Sequence, residues 1–469
     1  MSTNKERIKA NNEKIKTIIK ILQNKTVEGG ENEPKELEIE LPSSFKKSES
    51  IYYVQVNDDK FLFSSKASSS GIYEYTRSTD TMKQILNYNS NWQYFQVIGD
   101  KCLVSGGAST TQNSLLLYNA ITGKITKLKD SSWNYFQVMG NKCLISSSSN
   151  TLGVIVFDSE TDTIEDLYTS TFDGQYFQVI GDKCLISSGS SSYTGILLYD
   201  SIANTINKIY ETGNSYQFFN TIGNKCLISA SGSANKGVLV YDSTTNTIEQ
   251  KYTSGYNWDI FYNFGDKCLI ASNNSSNIGI LVYDSTTNTI EQKYEKNYGW
   301  EFFQTVGDKC LIASNNGTSA GILVFDSTAN TIEQKYTSGY NYKYFQVLGT
   351  KCLIASSHSN SKGVFVYDSV ANTLTKQYSS GYYWSIFKVI GDKCLISASL
   401  SYGTGILLFN STADTITLIY SLGYNWKEFE QDENNANNYY IRSSATTQTY
   451  VLYYQGADNS VLKDKIIIR

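Results

Sequence analysis

Aromatic residues recur at fixed places in loops that are rich in Gly, Ser and Asn. The loop "SGYNW" at 254–258 is followed by "SGYNY" at 338–342, "SGYYW" at 380–384 and "LGYNW" at 422–426. Flat apolar rings beside amides and hydroxyls suit sugars, because a sugar has an apolar face and hydrogen-bonding edges. The predicted ligand-binding series consists of Tyr256, Trp258, Tyr298, Trp300, Tyr340, Tyr342, Tyr382, Trp384, Tyr424 and Trp426.

The same rings have a second, structural interpretation. The Trp position lies ten residues before each Cys and is occupied earlier in the chain by Trp92, Trp133, Gly174 and Tyr216. A ring repeated at one place can pack between neighbouring units instead of binding a ligand. The sequence leaves binding and packing open for both the Trp series and the Tyr series.

Residues that could support catalysis or metal binding are few. The single histidine, His358, lies in the variable loop "SSHSN", so a Ser-His-Asp triad would depend on it alone. Four aspartates lie in predicted turns, where capping explains them, and their spacing to the following Asn does not match a calcium-binding loop: Asp242, Asp284, Asp326 and Asp368. No phosphate-binding glycine motif is present. We therefore expect no enzyme activity, no cofactor and no metal.

The eight cysteines mark a repeat rather than a disulfide framework. They are Cys102, Cys143, Cys184, Cys226, Cys268, Cys310, Cys352 and Cys394, spaced by 41 or 42 residues, each within "KCL". Equivalent positions on neighbouring units are unlikely partners for a bridge that needs Cα atoms within about 7 Å. We predict free thiols that pack as small buried apolar groups.

The repeat itself predicts the fold. One copy, "YFQVIGDKCLISSGSSSYTGILLYDSIANTINKIYETGNS" at 176–215, contains four short apolar runs, joined by "GD" and by "DSIAN" at two of the turns. Four short antiparallel strands at a period of about 42 residues form one propeller blade. We predict an all-β protein over residues 51–469: a β-propeller of about ten four-stranded blades, closed as one large ring or as two smaller rings.

The first clear copy of the repeat resembles the kelch repeat. In "KCLVSGG" at 101–107 and "LLLYNAITGKI" at 115–125, the apolar strand, the double glycine and an aromatic seven residues before an apolar residue are kelch-like. Later copies replace the double glycine mostly by "SS" or "AS", and the kelch tryptophan by Ile or Leu. The resemblance implies a propeller and says little about function, because that fold carries many functions.

Strand parity separates two edges of each blade. The first and third turns, "GD" and "DSTTN", share one edge and hardly vary between copies. The second connection, which varies, and the aromatic link to the next blade share the other edge. We therefore expect ligands on the edge that carries the aromatic links.

The N-terminal 25 residues predict a helix that joins several chains. In "NKERIKANNEKIKTIIKILQN" at 4–24 the heptad positions are occupied by Ile8, Asn11, Ile15, Ile18 and Leu22. A helix lying against the propeller is the alternative interpretation. Residues 26–50 form a linker with a short strand predicted at "ELEIELP". Residues 4–24 resemble the trimerising attachment ends of tail fibres from phages and phage-tail-like bacteriocins of Gram-positive bacteria.

The charge and hydropathy of the chain limit the classes of partner that it is expected to bind. The net charge is −4 with scattered Lys and Arg, no apolar run is long enough for a membrane span, and the first residues lack the apolar core of a signal peptide. We expect no nucleic acid and no membrane insertion. The resemblance implies a homotrimeric receptor-binding protein of a virion or phage-tail-like particle, joined to a baseplate or fibre-attachment protein and binding a bacterial surface polysaccharide. The alternative is a cytoplasmic kelch-like scaffold that binds proteins.

Overall fold

A computed structural model describes most of the chain in two compact units, residues 1–216 and 217–469. The described residues are 17–23, 35–41 and 50–467, without 66–70, 88–90, 107–113, 148–151, 190–194, 212–214, 231–236, 255–257, 273–278, 297, 315–320, 338–341, 357–362, 381–383, 399–404, 422–425, 444–448 and 457–458. No helix with the length and hydropathy of a membrane span occurs among them.

The first unit contains a two-stranded hairpin and four blades. The hairpin is β1 (Thr17–Gln23) with β2 (Lys35–Leu41); blade 1 is β3 (Ile51–Gln55), β4 (Lys60–Ser65), β5 (Ile72–Thr76) and β6 (Thr81–Leu86); blade 2 is β7 (Trp92–Ile98), β8 (Lys101–Gly106), β9 (Ser114–Asn119) and β10 (Lys124–Asp130). Blade 3 is β11 (Tyr135–Met139), β12 (Lys142–Ser146), β13 (Val154–Asp158) and β14 (Thr163–Tyr168); blade 4 is β15 (Gly174–Ile180), β16 (Lys183–Ser188), β17 (Ile196–Asp200) and β18 (Thr205–Tyr210).

The second unit contains six blades. The first strand of blade 5 begins at Tyr216, which is the last residue of the first unit. Blade 5 is β19 (Tyr216–Ile222), β20 (Lys225–Ala230), β21 (Val238–Asp242) and β22 (Thr247–Tyr252); blade 6 is β23 (Ile260–Phe264), β24 (Lys267–Ala271), β25 (Ile280–Asp284) and β26 (Thr289–Tyr294); blade 7 is β27 (Trp300–Val306), β28 (Lys309–Ser314), β29 (Ile322–Asp326) and β30 (Thr331–Tyr336). Blade 8 is β31 (Tyr344–Leu348), β32 (Lys351–Ala355), β33 (Val364–Asp368) and β34 (Thr373–Tyr378); blade 9 is β35 (Trp384–Ile390), β36 (Lys393–Ala398), β37 (Ile406–Asn410) and β38 (Thr415–Tyr420); blade 10 is β39 (Trp426–Asp432), β40 (Asn435–Ser443), β41 (Thr449–Gln455) and β42 (Ser460–Ile467).

Each blade is one antiparallel sheet in which consecutive strands are neighbours. Ten such sheets of four strands are the architecture of a β-propeller, and the predicted all-β fold with about ten blades is confirmed. The register joins equivalent residues across a blade: Cys143 pairs with Phe157, which pairs with Ile164. The kelch-like aromatic and the Ile that replaces the kelch tryptophan are thus direct cross-strand neighbours.

The two short turns of each blade follow from their residues. In blade 4, Gly181 has a φ of +61° as the first residue of a two-residue hairpin, where type II′ turns take glycine. In the turn between β17 and β18, Asp200 Oδ1 accepts hydrogen bonds from the backbone N–H groups of Ile202 and Ala203, both at 3.0 Å. Asn204 adopts a left-handed φ of +53°, which Asn tolerates better than most residues. The predicted hairpin and Asp-capped turn are confirmed.

Within each unit the core lies between neighbouring blades, because the two middle strands of blades 1 to 9 are buried on both faces. In the first unit, Leu103 and Leu117 of blade 2 pack with Trp133, Cys143 and Ile155 of blade 3. All eight cysteines are buried and free, as predicted. Each thiol is a small apolar contact in one such core rather than half of a bridge.

The N-terminal helix prediction is wrong over the part that the structure describes. β1 lies antiparallel to β2, with Ile19 opposite Ile39 and Ile21 opposite Leu37. The segment 17–21 is rich in β-branched residues, which favour strands, and a strand partner follows in the same linker. The strand predicted at "ELEIELP" is confirmed as β2.

Some of the predicted oligomerisation residues lie in the described strand β1, and the others lie outside the described residues. Ile18 and Leu22 lie in β1, not in a helix. Ile8, Asn11 and Ile15 lie outside the described residues. A heptad pattern of three repeats could not exclude the strand, because apolar residues at short spacing fit both periods.

Candidate functional site

The second aromatic of the loop series is buried in every blade where it was assigned to ligand binding. The exposed fraction is 1% for Trp258, 0% for Trp300, 2% for Tyr342, 1% for Trp384 and 0% for Trp426. A fully enclosed ring has no free face on which a sugar can stack. We therefore remove these five rings from the ligand-binding series and assign them to packing.

Two kinds of contact hold these rings. Tyr252, from the fourth strand of blade 5, meets Trp258 edge to face at 5.9 Å between ring centroids, and Tyr378 meets Trp384 at 5.7 Å. Edge-to-face pairs are the favourable arrangement of aromatic rings. The indole N–H of Trp258 donates to the carbonyl of Ser254 at 3.2 Å, which bridges the two ends of the loop 254–258. Trp258 thus packs against Tyr252 and is also hydrogen-bonded to Ser254.

The tyrosine series lies mostly outside the described residues. This applies to Tyr256, Tyr340, Tyr382 and Tyr424, whose assignment to binding stays a prediction. Tyr298 is described: it is half-buried and meets the buried Trp300 edge to face at 5.6 Å. In the described loop, therefore, the tyrosine lies against the packed tryptophan and retains partial exposure.

A second aromatic surface, which the sequence analysis did not assign to function, lies on the first strands of blades 2 to 4. Residues 93–96, 134–137 and 175–178 carry an amide, a Tyr, a Phe and a second amide in that order, and all twelve are half-buried. We name them the first-strand surface. The first strand is an edge strand of each sheet, so both of its faces retain partial exposure.

The first-strand surface encloses a cleft of about 380 Å³, lined by residues 93–96 and 134–136 with Gln175 and Phe177. Burial raises the pKa of Tyr135, and the negative charge of Asp173 and the neighbouring Tyr94 and Tyr176 raise it further. Tyr94 and Tyr135, from successive blades, line the same cleft. Rings and amides from three strands meet in one cleft.

The glutamines of this surface are oriented by the backbone. Nε2 of Gln96, Gln137 and Gln178 donates to the carbonyl of the following valine, each at 3.0 Å. This bond fixes the amide plane, and the second N–H and the amide oxygen are the groups that a ligand can use. The repeated geometry presents the same polar contact beside each Tyr-Phe pair.

The sequence carries a signal for this surface. The runs "QYFQ", "NYFQ" and "QYFQ" repeat at 93–96, 134–137 and 175–178. Alternation in a strand does not say which strand is an edge. Only the sheet order places these rings on a partly exposed edge.

The link into blade 4 replaces the buried Trp by glycine. Gly174 stands at the Trp position, and Phe172, 2% exposed, supplies a ring instead by packing edge to face on Tyr168 at 5.9 Å. A Cβ on Gly174 would lie 3.2 Å from Ser146 Oγ. The residue between them, Asp173, is 5% exposed.

The charged groups of the invariant turns have structural partners. Lys267, which is 9% exposed, forms an ion pair with Asp284, whose other oxygen accepts from Thr286 N at 2.9 Å. The hydrogen bonds from Lys267, Thr286 and Thr287 hold the pKa of Asp284 below its usual range against the opposing effect of burial. Turn capping, as the sequence analysis expected, explains these aspartates.

Groups for metal binding or nucleophilic chemistry are not assembled in the part of the chain that the structure describes. No cluster of three or more His, Cys, Asp or Glu suitable for a metal ion occurs there. Burial raises the pKa of Cys184 to about 12, so this thiol is protonated at neutral pH and is a poor nucleophile. His358 lies outside the described residues.

Neither a protein-family model nor a curated protein matches this sequence. Among solved structures, the extracellular domain of a one component system from B. thetaiotaomicron aligns at 13% identity with a TM-score of 0.29, covering 92% of this chain and 69% of that chain. The tricorn protease aligns at 12% identity with a TM-score of 0.24, covering 88% of this chain and 44% of that chain. Apo AztD from Citrobacter koseri aligns at 8% identity with a TM-score of 0.31, covering 76% and 91%. Similarities at this level carry no argument about function, and the fold assignment depends on the sheets themselves.

Proposed function

We propose that this protein is a non-enzymatic receptor-binding protein that recognises bacterial cell-surface glycans through repeated aromatic and amide contacts. The observation that carries this proposal is the first-strand surface, where aromatic rings and side-chain amides from three successive blades line one cleft of about 380 Å³. Tyr and Phe rings provide apolar platforms for sugar faces. The oriented glutamine amides provide hydrogen bonds to sugar hydroxyls.

Repetition suits a ligand that is itself repetitive. A polysaccharide presents the same unit many times, and several weak contacts on one chain add up to tight binding through effective concentration. The loop tyrosines Tyr256, Tyr340, Tyr382 and Tyr424 are part of this proposal as further contacts, together with the half-buried Tyr298.

The proposal includes the assembly to which the protein belongs. The protein would be the receptor-binding subunit of a phage or phage-tail-like particle, and it would form a homotrimer attached to a baseplate or fibre protein. The support is the resemblance of the N-terminal segment to tail-fibre attachment ends. Since residues 17–23 form a strand, trimerisation now depends on residues before Thr17 and on their partners in the particle.

The test is binding of the fluorescently labelled full chain to intact Gram-positive cells. Periodate, which cleaves sugar diols, should abolish binding, whereas protease treatment of the cells should leave it intact. A Tyr94→Ala/Tyr135→Ala variant should bind about tenfold more weakly or worse, because two adjacent contacts are lost. The control is Ile121→Ala/Ile202→Ala, which removes two side chains that are 77% and 81% exposed on the turn edge.

The same experiment includes a chain that lacks residues 1–49. If the segment trimerises the protein, light scattering should show a threefold loss of mass and cell binding should fall through lost avidity. Binding that survives periodate and disappears after protease treatment would instead assign the propeller to a protein partner. Full binding by a folded Tyr94→Ala/Tyr135→Ala variant would exclude the first-strand surface.

A further inference from the structure

The link into blade 4 departs from the links on either side of it at a position where those two links donate a hydrogen bond. Ser132 Oγ donates to the carbonyl of Gly106, and Ser215 Oγ donates to the carbonyl of Ser188, both at 2.9 Å. Asp173 stands at the equivalent position. An ionised carboxylate cannot donate this bond, so the fold does not explain the substitution.

The Asp173 carboxylate is buried without a counter-charge. The side chain is 5% exposed and Oδ1 has no hydrogen-bond partner among the described residues. Burial raises the pKa of Asp173, and the hydrogen bond from Gln175 opposes that shift only in part. A carboxylate in this state destabilises the fold unless something else satisfies it.

The carboxylate borders the cleft of the first-strand surface. Gln175 lines the cleft and donates from Nε2 to Asp173 Oδ2 at 2.7 Å. Tyr135, which also lines the cleft, is close enough for the charge of Asp173 to raise its pKa. A half-exposed neutral amide is thus the group between the buried charge and the cleft.

We propose that Asp173, Gln175 and Tyr135 form an amine-specific subsite of the cleft, which takes an amino sugar whose ammonium group displaces the Gln175 amide from the carboxylate. The proposal rests on the glycan-binding function proposed above and names its substrate class. A charged donor bonds a carboxylate more strongly than a neutral amide does, so the exchange favours the ligand. The ammonium also offsets the desolvation that burial imposes on the carboxylate.

The Tyr135 ring, which lines the cleft, completes the match. An amino sugar has an apolar face for Tyr135 and an ammonium for Asp173, and a cation next to an aromatic ring gains a further attraction. A neutral sugar would use the same ring but would leave the buried charge uncompensated. The subsite should therefore discriminate between two sugars that differ only in the charge of the amine.

The test titrates the full chain with a glucosamine hexamer and with its fully N-acetylated counterpart, at mildly acidic pH where the free amines are protonated. The free amine form should bind about tenfold more tightly, the scale of one charge-assisted hydrogen bond. Asp173→Asn, which keeps the shape and removes the charge, should reduce the difference to roughly twofold or less. Asn91→Ser changes the neutral residue at the equivalent position of blade 2 and should leave the preference unchanged.

A second variant separates a binding role from a structural one. Asp173→Ser restores the residue found in the neighbouring links, so this variant should fold, should melt at a temperature raised by roughly 2 °C and should lose the amine preference.

Equal binding of both hexamers, or a preference that persists in Asp173→Asn, overturns the subsite. Cell binding that is still sensitive to periodate would then leave the proposed glycan function standing. A melting temperature lowered by Asp173→Ser would assign Asp173 to the fold instead. Failure of both hexamers to bind, together with cell binding that resists periodate, would reject the subsite and the glycan function together.

Discussion

At the scale of single residues, the aromatic loop series contains two populations with different environments. The Trp position is enclosed between blades, and its indole N–H bonds within its own loop, as Trp384 does with the Ser380 carbonyl at 3.2 Å. The Tyr two residues earlier is half-buried in the one assigned loop where it is described, at Tyr298. The loop therefore combines a packed anchor with a more accessible ring.

Substitutions at the two positions should separate these roles. Trp384→Ala should lower the free energy of unfolding by about 3–5 kcal/mol, the usual cost of deleting a large buried aromatic. Trp384→Phe keeps most of the packing and should cost about 1 kcal/mol through loss of the N–H bond to Ser380. Tyr256→Ala/Tyr340→Ala/Tyr382→Ala should leave the unfolding midpoint nearly unchanged and weaken binding to cells. Chemical denaturation and the cell-binding assay measure both properties.

Two results would contradict this division. A Trp384→Ala variant as stable as the parent protein would mean that the Trp384 ring is not enclosed between blades in solution. Full cell binding by the triple Tyr variant would restrict the receptor contacts to the first-strand surface or to the variable loops.

At the scale of the element, the residue that opens the third turn of a blade holds that turn together, as Asp284 does in blade 6. Asp284 Oδ1 accepts from Thr286 N at 2.9 Å and from Thr287 N at 3.2 Å, while Oδ2 pairs with Lys267. Ser285 N donates to the carbonyl of Asp266 at 2.9 Å and so joins the two turns of the blade. The turn is held by its own side chains, which explains why this edge hardly varies between copies.

Replacing Asp284 tests the turn. Asp284→Ala leaves two backbone N–H groups and a nearly buried Lys267 unpaired and should cost about 2–3 kcal/mol. Asp284→Asn retains the acceptor, as Asn410 does in blade 9 at 3.0 Å from Thr412 N, and should cost less. The pKa of Asp284 is lowered in the folded state. The charge therefore stabilises the protein above the unfolded pKa of about 3.9, and the stabilisation is lost as pH falls through the folded value.

Urea unfolding of the parent and Asp284→Asn at several pH values measures this contribution. The stability difference between them should be constant near neutral pH and shrink only in strong acid. A difference that does not depend on pH would show that the ion pair with Lys267 contributes nothing and that the hydrogen bonds alone hold the turn.

At the scale of the whole molecule, the repeat distributes buried thiols along the chain. Burial raises the pKa to about 12 for Cys102, Cys143 and Cys268, and it also raises the pKa of the equivalent Cys352. A thiol with a raised pKa in the folded state stabilises the fold fully below the unfolded pKa of about 8.5, and this contribution is lost as pH rises toward the folded value. The contributions of these thiols have the same sign and add together.

The melting temperature should therefore be nearly constant up to about pH 8 and fall steeply above it. A thiol reagent at mildly alkaline pH should label no cysteine in the native protein and all eight after denaturation without reductant. Native labelling would show that the inter-blade cores open, and fewer than eight labelled thiols after denaturation would reveal disulfides.

The sequence by itself determined the local and periodic features of this protein. The spacing of "KCL" and the "GD" and "DSTTN" turns predicted the blades, because turn chemistry and strand alternation depend only on residues that are close in the chain. Residues 17–23 form a strand because a partner strand follows, a choice that a short apolar pattern cannot make alone.

Tertiary structure decided which aromatic rings are accessible. Trp258 and Tyr135 are both aromatic residues of a repeated motif, yet one is enclosed between blades and the other lines a cleft. Both residues stand at or just before the first strand of a blade, so the difference arises from packing: Trp258 lies in the core between blades 5 and 6, with Leu227 and Leu281, whereas Tyr135 is half-buried. The burial of the unpaired Asp173 carboxylate near that cleft is also a property of the packed blades. The residues next to Asp173 in the sequence do not determine it.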